Sequence, residues 1–319
     1  MTVAMVFPGQ GSQRGGMASA WRDHPAFAIL EEVAEAADIP DLAELADDPE
    51  ACESTAVAQP AMFAVSLVAW RALEDVGVRA DLVAGHSLGE YAAAVAAGCL
   101  SIRDGAALVA ERGRASADAI ADNPGVMSAI LGLDRAAVEE ALAEVDGAVV
   151  VNDNGPRQVV IAGPSDAVAS ASEACRDAGG RVRELDVEGA FHTSTMAPAR
   201  DRLAERLESM EVHDPSIPLV SGATAQVSTT AEEVRQGLVD GMLSPVRWRE
   251  VMQRFADRGV ELVVEAGPGE VLTGLAQRNL SDVQALSVAG PDDLDEVAAA
   301  VEDVAELAAD GTAEAVGQR

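Results

Sequence analysis

The 319-residue sequence contains no lysine, and all 22 of its basic residues are arginine. That absence removes whole chemistries. No side chain is available for a Schiff base, for a pyridoxal phosphate anchor or for the Gly-Lys cradle of a Walker-type nucleotide loop. The glycine-rich run GQGSQRGG at 9–16 therefore needs a reason other than nucleotide binding. Bases are also few beside 54 acids, which leaves a net charge of −32. Such a surface is a poor partner for nucleic acid, whose phosphates require a cationic face. The acidic excess fits a salty cytosol, where screening shrinks to about 3 Å at 1 M salt and self-repulsion becomes tolerable. GC-rich coding would exchange lysine for arginine, but it would add no acids.

Cysteine and histidine are scarce as well. Cys52, Cys99 and Cys175 are widely separated and odd in number, as expected of free thiols in a reducing cytosol. The four histidines show no HExxH spacing, so no metal site is expected. The opening MTVAMVFPGQG lacks a basic segment followed by a long apolar stretch, and no apolar run reads as long enough to span a membrane. With 49% apolar residues the chain has enough to bury a core. The expectation is a cytoplasmic, monomeric globular protein without nucleic-acid or membrane partners.

Along the chain, VAMVF at 3–7 reads as a strand ending in Pro8-Gly9. Helical patterns follow at about 27–37 and 59–76, then a short strand, an alanine-rich helix and a helix from Ser101 to about Ala121. Asp122-Asn123-Pro124-Gly125 is a strong break. Beyond it the pattern runs strand, helix, strand, strand, helix, strand, which is the ferredoxin-like split unit. From Ser194 the chain returns to alternating helices and short strands. The expected fold is thus α/β, with a hydrolase-like parallel-sheet main domain (1–123 and 193–310). A ferredoxin-like α+β subdomain is inserted at 124–192, and 311–319 is a frayed tail.

Residues 82–90, LVAGHSLGE, place Ser87 between Gly85 and Gly89 at a strand-to-helix corner. This matches a nucleophile elbow, Gly-x-Ser-x-Gly, in which crowded backbone leaves no room for a Cβ. The other reading is a glycine-rich turn with a serine capping the helix. A serine nucleophile needs a base. His24, His86 and His213 remain open candidates, and His192 leads because it lies where the insert rejoins the main domain, a favoured place for a pocket.

Several motifs occur together and in order: FPGQGSQ at 7–13, GHSLGEY at 85–91, the Arg-Gly of AERGR, VNxNxPxQVVIAG at 151–163, AFH at 190–192, SPVRW at 244–248 and EAGPGEVLTGL at 265–275. Over about residues 3–290 the chain resembles the malonyl-CoA:acyl-carrier-protein transacylases and the acyltransferase domains of polyketide synthases. The resemblance implies transfer of a malonyl group from malonyl-CoA, through an acyl-enzyme on Ser87, to the phosphopantetheine thiol of an acyl carrier protein. It assigns His192 as the base, the backbone N–H groups of Gln10 and Leu88 as the oxyanion hole, and Arg112 as the clamp for the malonyl carboxylate. The histidine is oriented in the family by a backbone carbonyl, which aligns here with Gly241, where many relatives carry glutamine. The resemblance brings no resident cofactor. Gly189 replaces a histidine often found in malonyl-selective domains, and the remaining pattern favours malonyl over methylmalonyl. The alternatives are a serine thioesterase or esterase, or a non-catalytic scaffold module. An acidic carrier protein would meet a protein that is itself acidic, which suggests an arginine patch, with Arg247 and Arg249 as candidates.

Overall fold

The computed structural model describes residues 2–187 and 189–302. The chain opens with β1 (Val3–Phe7), α1 (Ala28–Ala37), α2 (Leu42–Asp47) and α3 (Thr55–Asp75), followed by β2 (Leu82–Gly85), α4 (Gly89–Ala96) and α5 (Ile102–Asp122). The second unit contains β3 (Val126–Leu131), α6 (Arg135–Ala141), β4 (Val149–Gly155), β5 (Gln158–Gly163), α7 (Ser165–Asp177) and β6 (Arg181–Glu184). The chain then continues through α8 (Ala197–Glu208), β7 (Leu219–Val220), β8 (Val227–Ser228), α9 (Ala231–Asp240), α10 (Trp248–Asp257), β9 (Leu262–Ala266), α11 (Val271–Asn279) and β10 (Gln284–Val288).

The main sheet has the order β10-β9-β1-β2-β7-β8 and is parallel except at β8, which pairs antiparallel with β7. β1, β2 and β9 are buried along their whole lengths, as strands covered on both faces must be. Their apolar runs are continuous for the same reason. The carboxyl ends of β1 and β2 lie side by side at the centre, where open α/β sheets bind ligands. The smaller sheet has the order β4-β5-β3-β6 and is antiparallel, the arrangement expected of a ferredoxin-like unit. Ile130, Val159, Ile161 and Val182 on one face pack with α6 and α7. Met127, Ala129, Val160 and Ala162 on the other face join the main core. The two chain crossings between the units touch, Gly189 N–H donating to the Gly125 carbonyl at 3.0 Å.

Three details depart from the sequence expectations. α3 is long and apolar enough to cross a membrane by length and composition, contrary to expectation, but most of it is buried in the core. α2, α11, β8 and β10 went unrecognised because each is short and α11 follows directly on the Gly-Pro-Gly turn. β6 ends at Glu184, short of the run RVRELDV. The expected tail at 311–319 lies outside the described residues.

Candidate active site

Ser87 follows β2 with only His86 between and has φ 52°, in the left-handed region that non-glycine residues rarely enter. The corner is tight enough to exclude any other residue beside it. A Cβ on Gly85 would lie 1.9 Å from the Gly89 carbonyl carbon, and one on Gly89 would lie 2.0 Å from the Phe7 oxygen. These contacts favour the elbow over a capping turn, and the serine side chain caps no helix.

His192 also holds a left-handed backbone, with φ 62°. Its loop is braced by Thr193, whose hydroxyl donates to the Ala190 carbonyl at 2.7 Å. The imidazole Nδ1 lies 2.8 Å from the Gly241 carbonyl and 3.0 Å from that of Ser244. Both partners only accept, so Nδ1 carries the proton and Nε2 is left as the acceptor. Ser87 Oγ stands 2.8 Å from Nε2 and donates to it. Burial, helped by the Arg112 and His86 charges, pushes the His192 pKa down to about 4, and the two carbonyls only partly offset this. The ring is therefore neutral at physiological pH and able to take a proton.

The other histidines are engaged elsewhere. His86 turns away from the serine to Asn154 on β4, at 2.9 Å, and packs edge-on against Trp248. His24 Nδ1 accepts from the Ala26 N–H at the start of a short 3-10 turn, and His213 is exposed near Glu211.

Gln10 and Leu88 lie after β1 and β2, and no other described residue takes either backbone N–H. The Gln10 side chain is held separately, its Oε1 accepting from the Thr55 hydroxyl at 2.8 Å. Arg112 is 3% exposed, and its Nη2 donates to Ser87 Oγ at 3.2 Å. It stacks over the Tyr91 ring at 5.3 Å, while the Tyr91 hydroxyl donates to the Leu238 carbonyl at 3.0 Å. Arg112 Nε has no partner, and no described carboxylate lies within ion-pair distance of this guanidinium. Arg114, by contrast, points outward to Glu111 at 3.4 Å. A small cavity opens between Ser87, Arg112 and His192, with Glu90 also on its wall.

One sequence expectation is corrected here. Arg247 is bound to Glu250 and to the Thr224 carbonyl, and Arg249 is bound to the buried Asp153 at 3.1 Å, so these two do not form a free cationic patch. Sequence reasoning also missed the Ser244 carbonyl, Tyr91 and Glu90. Tyr91 and Glu90 lie inside GHSLGEY, but only the fold reveals that they face the cavity.

The Acyl transferase domain family matches residues 4–310. Malonyl CoA-acyl carrier protein transacylase of Haemophilus influenzae is 40% identical over 296 residues, covering 89% of this chain and 94% of that protein. Its counterpart from Mycobacterium tuberculosis is 40% identical over 302 residues, covering 93% and 99%. The crystal structure of an acyl-carrier-protein S-malonyltransferase from Burkholderia pseudomallei superposes with a TM-score of 0.88 at 39% identity, covering 93% of this chain and 99% of that one. A malonyl-transacylase solved in complex with its type II polyketide synthase acyl-carrier protein gives a TM-score of 0.87 at 37% identity, covering 92% and 98%. With an elbow serine against a neutral buried histidine, and with likeness at this level over nearly its whole length, the chain belongs to the acyl transferase family of malonyl CoA-acyl carrier protein transacylases.

Proposed function

We propose that this protein moves a malonyl group from malonyl-CoA to the phosphopantetheine thiol of an acyl carrier protein, by a ping-pong path through Ser87 and without a resident cofactor. The observation that carries the reading is Arg112, a buried guanidinium on the nucleophile's own oxygen with no carboxylate partner among the described residues. Malonyl differs from acetyl by one carboxylate, and a planar guanidinium can take it through two parallel hydrogen bonds.

In the first half-reaction Ser87 Oγ attacks the thioester carbonyl while its proton passes to His192 Nε2. The tetrahedral oxyanion is held by the Gln10 and Leu88 N–H groups. As the C–S bond breaks, the CoA sulfur leaves with the proton from His192. In the second, the pantetheine thiol gives its proton to His192 and attacks the serine ester. Collapse then returns the proton to Ser87 Oγ. The Gly241 and Ser244 carbonyls hold the ring through both steps and stabilise the transient imidazolium, the task a carboxylate performs in a Ser-His-Asp triad.

Intact-protein mass spectrometry tests this directly. Malonyl-CoA alone should leave a malonyl adduct on Ser87, and added carrier protein should discharge it. An adduct that carrier protein does not discharge but water removes would point to a thioesterase instead.

A further inference from the structure

Glu90 stands in the first turn of the elbow helix with 5% exposure, on the wall of the cavity that Ser87, Arg112 and His192 share. Its Oε2 accepts from the Gly222 N–H at 3.1 Å. Oε1 has no partner. Two glycines make room for the group: a Cβ on Gly222 would lie 3.2 Å from Oε2, and one on Gly237 would lie 3.4 Å from Oε1. The reaction sequence above uses none of this.

We infer that Glu90 is a specificity-determining residue that shares the field of Arg112 with the acyl carboxylate, so that loading a malonyl group is coupled to protonation of Glu90. The inference rests on the malonyl-transfer reading. Two carboxylates near one guanidinium cannot both keep their charge cheaply, because like charges in a desolvated site disfavour ionisation of one of them. The incoming malonyl carboxylate is ionised and takes the fork of Arg112. Glu90, which makes no ion pair with Arg112, is the group left to neutralise. A neutral acyl group makes no such demand.

The surroundings leave Glu90 as the group that titrates in the relevant range. Burial pushes its pKa up to about 7, with Gly222, Ser221 and Arg112 pulling the other way. Tyr91 beside it is pushed up to about 12 by burial, and His192 down to about 4. α5 presents Arg112, while α9 and the loop after β7 present Gly237, Leu238, Ser221, Gly222 and Ala223, none of which titrates. His86 is turned to Asn154, and burial holds its pKa below the ordinary value.

The test compares malonyl-CoA with acetyl-CoA on one preparation of the enzyme between about pH 5.5 and pH 9. The phosphates common to both donors titrate alike and cancel in the ratio of kcat/KM values. That ratio should fall about tenfold as pH rises through the range, following a one-proton curve. Glu90→Gln, which keeps the shape and removes the charge, should flatten it. A flat ratio in the wild-type enzyme overturns the coupling whatever the variant does, and so does an unchanged slope in Glu90→Gln. Absence of any malonyl adduct on Ser87 at every pH would overturn the transfer reading itself and this inference with it.

Discussion

Ser87 and His192 are 105 positions apart in the chain and meet across 2.8 Å, each on a left-handed backbone with φ of 52° and 62°. A non-glycine residue in that region costs on the order of 1 kcal/mol or more and persists only where its surroundings enforce it. Here the enforcement is visible. Gly85 and Gly89 lock one corner, while the Gly241 and Ser244 carbonyls and the Thr193 hydroxyl brace the other. The strain keeps both side chains aimed at one point before any substrate arrives.

Ser87→Ala should abolish the covalent malonyl adduct, since among the described residues only the Ser87 hydroxyl is hydrogen-bonded to His192 Nε2. His192→Ala should slow acylation and discharge together, because one base serves both. Single-turnover measurement of each half-reaction checks this, and a loss confined to one half would place the base elsewhere.

The low pKa of His192 sets the acid side of the profile. His192 should cause no loss of transfer as pH falls from neutrality to about 5, and transfer should drop near 4, where the ring takes its proton. The effect on stability has a definite sign. Unfolded, the ring protonates near its ordinary 6.5, and folded only near 4, so its contribution is complete above 6.5 and is lost as pH falls through that interval. Acid unfolding curves of wild type and His192→Gln should therefore converge above 6.5 and separate below it.

Arg112→Ala should cut malonyl transfer by about 2–5 kcal/mol of transition-state stabilisation, the cost of a broken buried charge pair. Acetyl transfer should hold or improve, because the variant has no guanidinium left desolvated without a partner. Arg114→Ala should change neither, since that side chain faces Glu111 and is half exposed. Comparison of kcat/KM for both donors across the two variants decides which arginine is the clamp.

Arg249 shields a carboxylate that the main domain and the insert both depend on. Asp153 is 1% exposed and its second oxygen has no partner, so burial raises its pKa in spite of the arginine. Arg249→Ala should destabilise the protein by about 1–3 kcal/mol by leaving a buried polar group unmatched. Adding Asp153→Asn should recover most of that loss. Urea denaturation of the single and double variants measures it.

With a net charge of −32, the melting temperature should rise from low to molar salt. A curve that does not move with salt would remove salt adaptation as the reason for the acid surface.

The elbow at Ser87 was legible because the spacing of Gly-x-Ser-x-Gly has a mechanical cause, whereas His192 led only by its place at the insert junction and Arg112 was singled out by resemblance; the structure brings the three side chains together. The split βαββαβ order was legible because strand and helix periods alternate cleanly between 126 and 184. The carbonyl of Ser244 was not, because a backbone acceptor leaves no mark on residue type. Nor was the fate of Arg247 and Arg249. Their identity suggests a docking patch, and only the packing of α10 against β4 shows them taken up by Glu250 and Asp153. Glu90 looks from sequence like an ordinary acid in the first turn of a helix, where a carboxylate suits the dipole. Its burial against Ser221 and Gly222 is a tertiary fact.

The insert leaves and rejoins the main domain at points close enough for Gly189 to bond Gly125. A segment whose ends meet can be replaced as a cassette with little disturbance to its host. In this protein the insert lines a broad cleft together with Gln10, while Ser87, Glu90 and Arg112, which line the cavity beside His192, belong to the host. Acyl-donor preference and the nucleophile are thus both encoded in the host segment before the insert, and grafting a different insert should leave both in place.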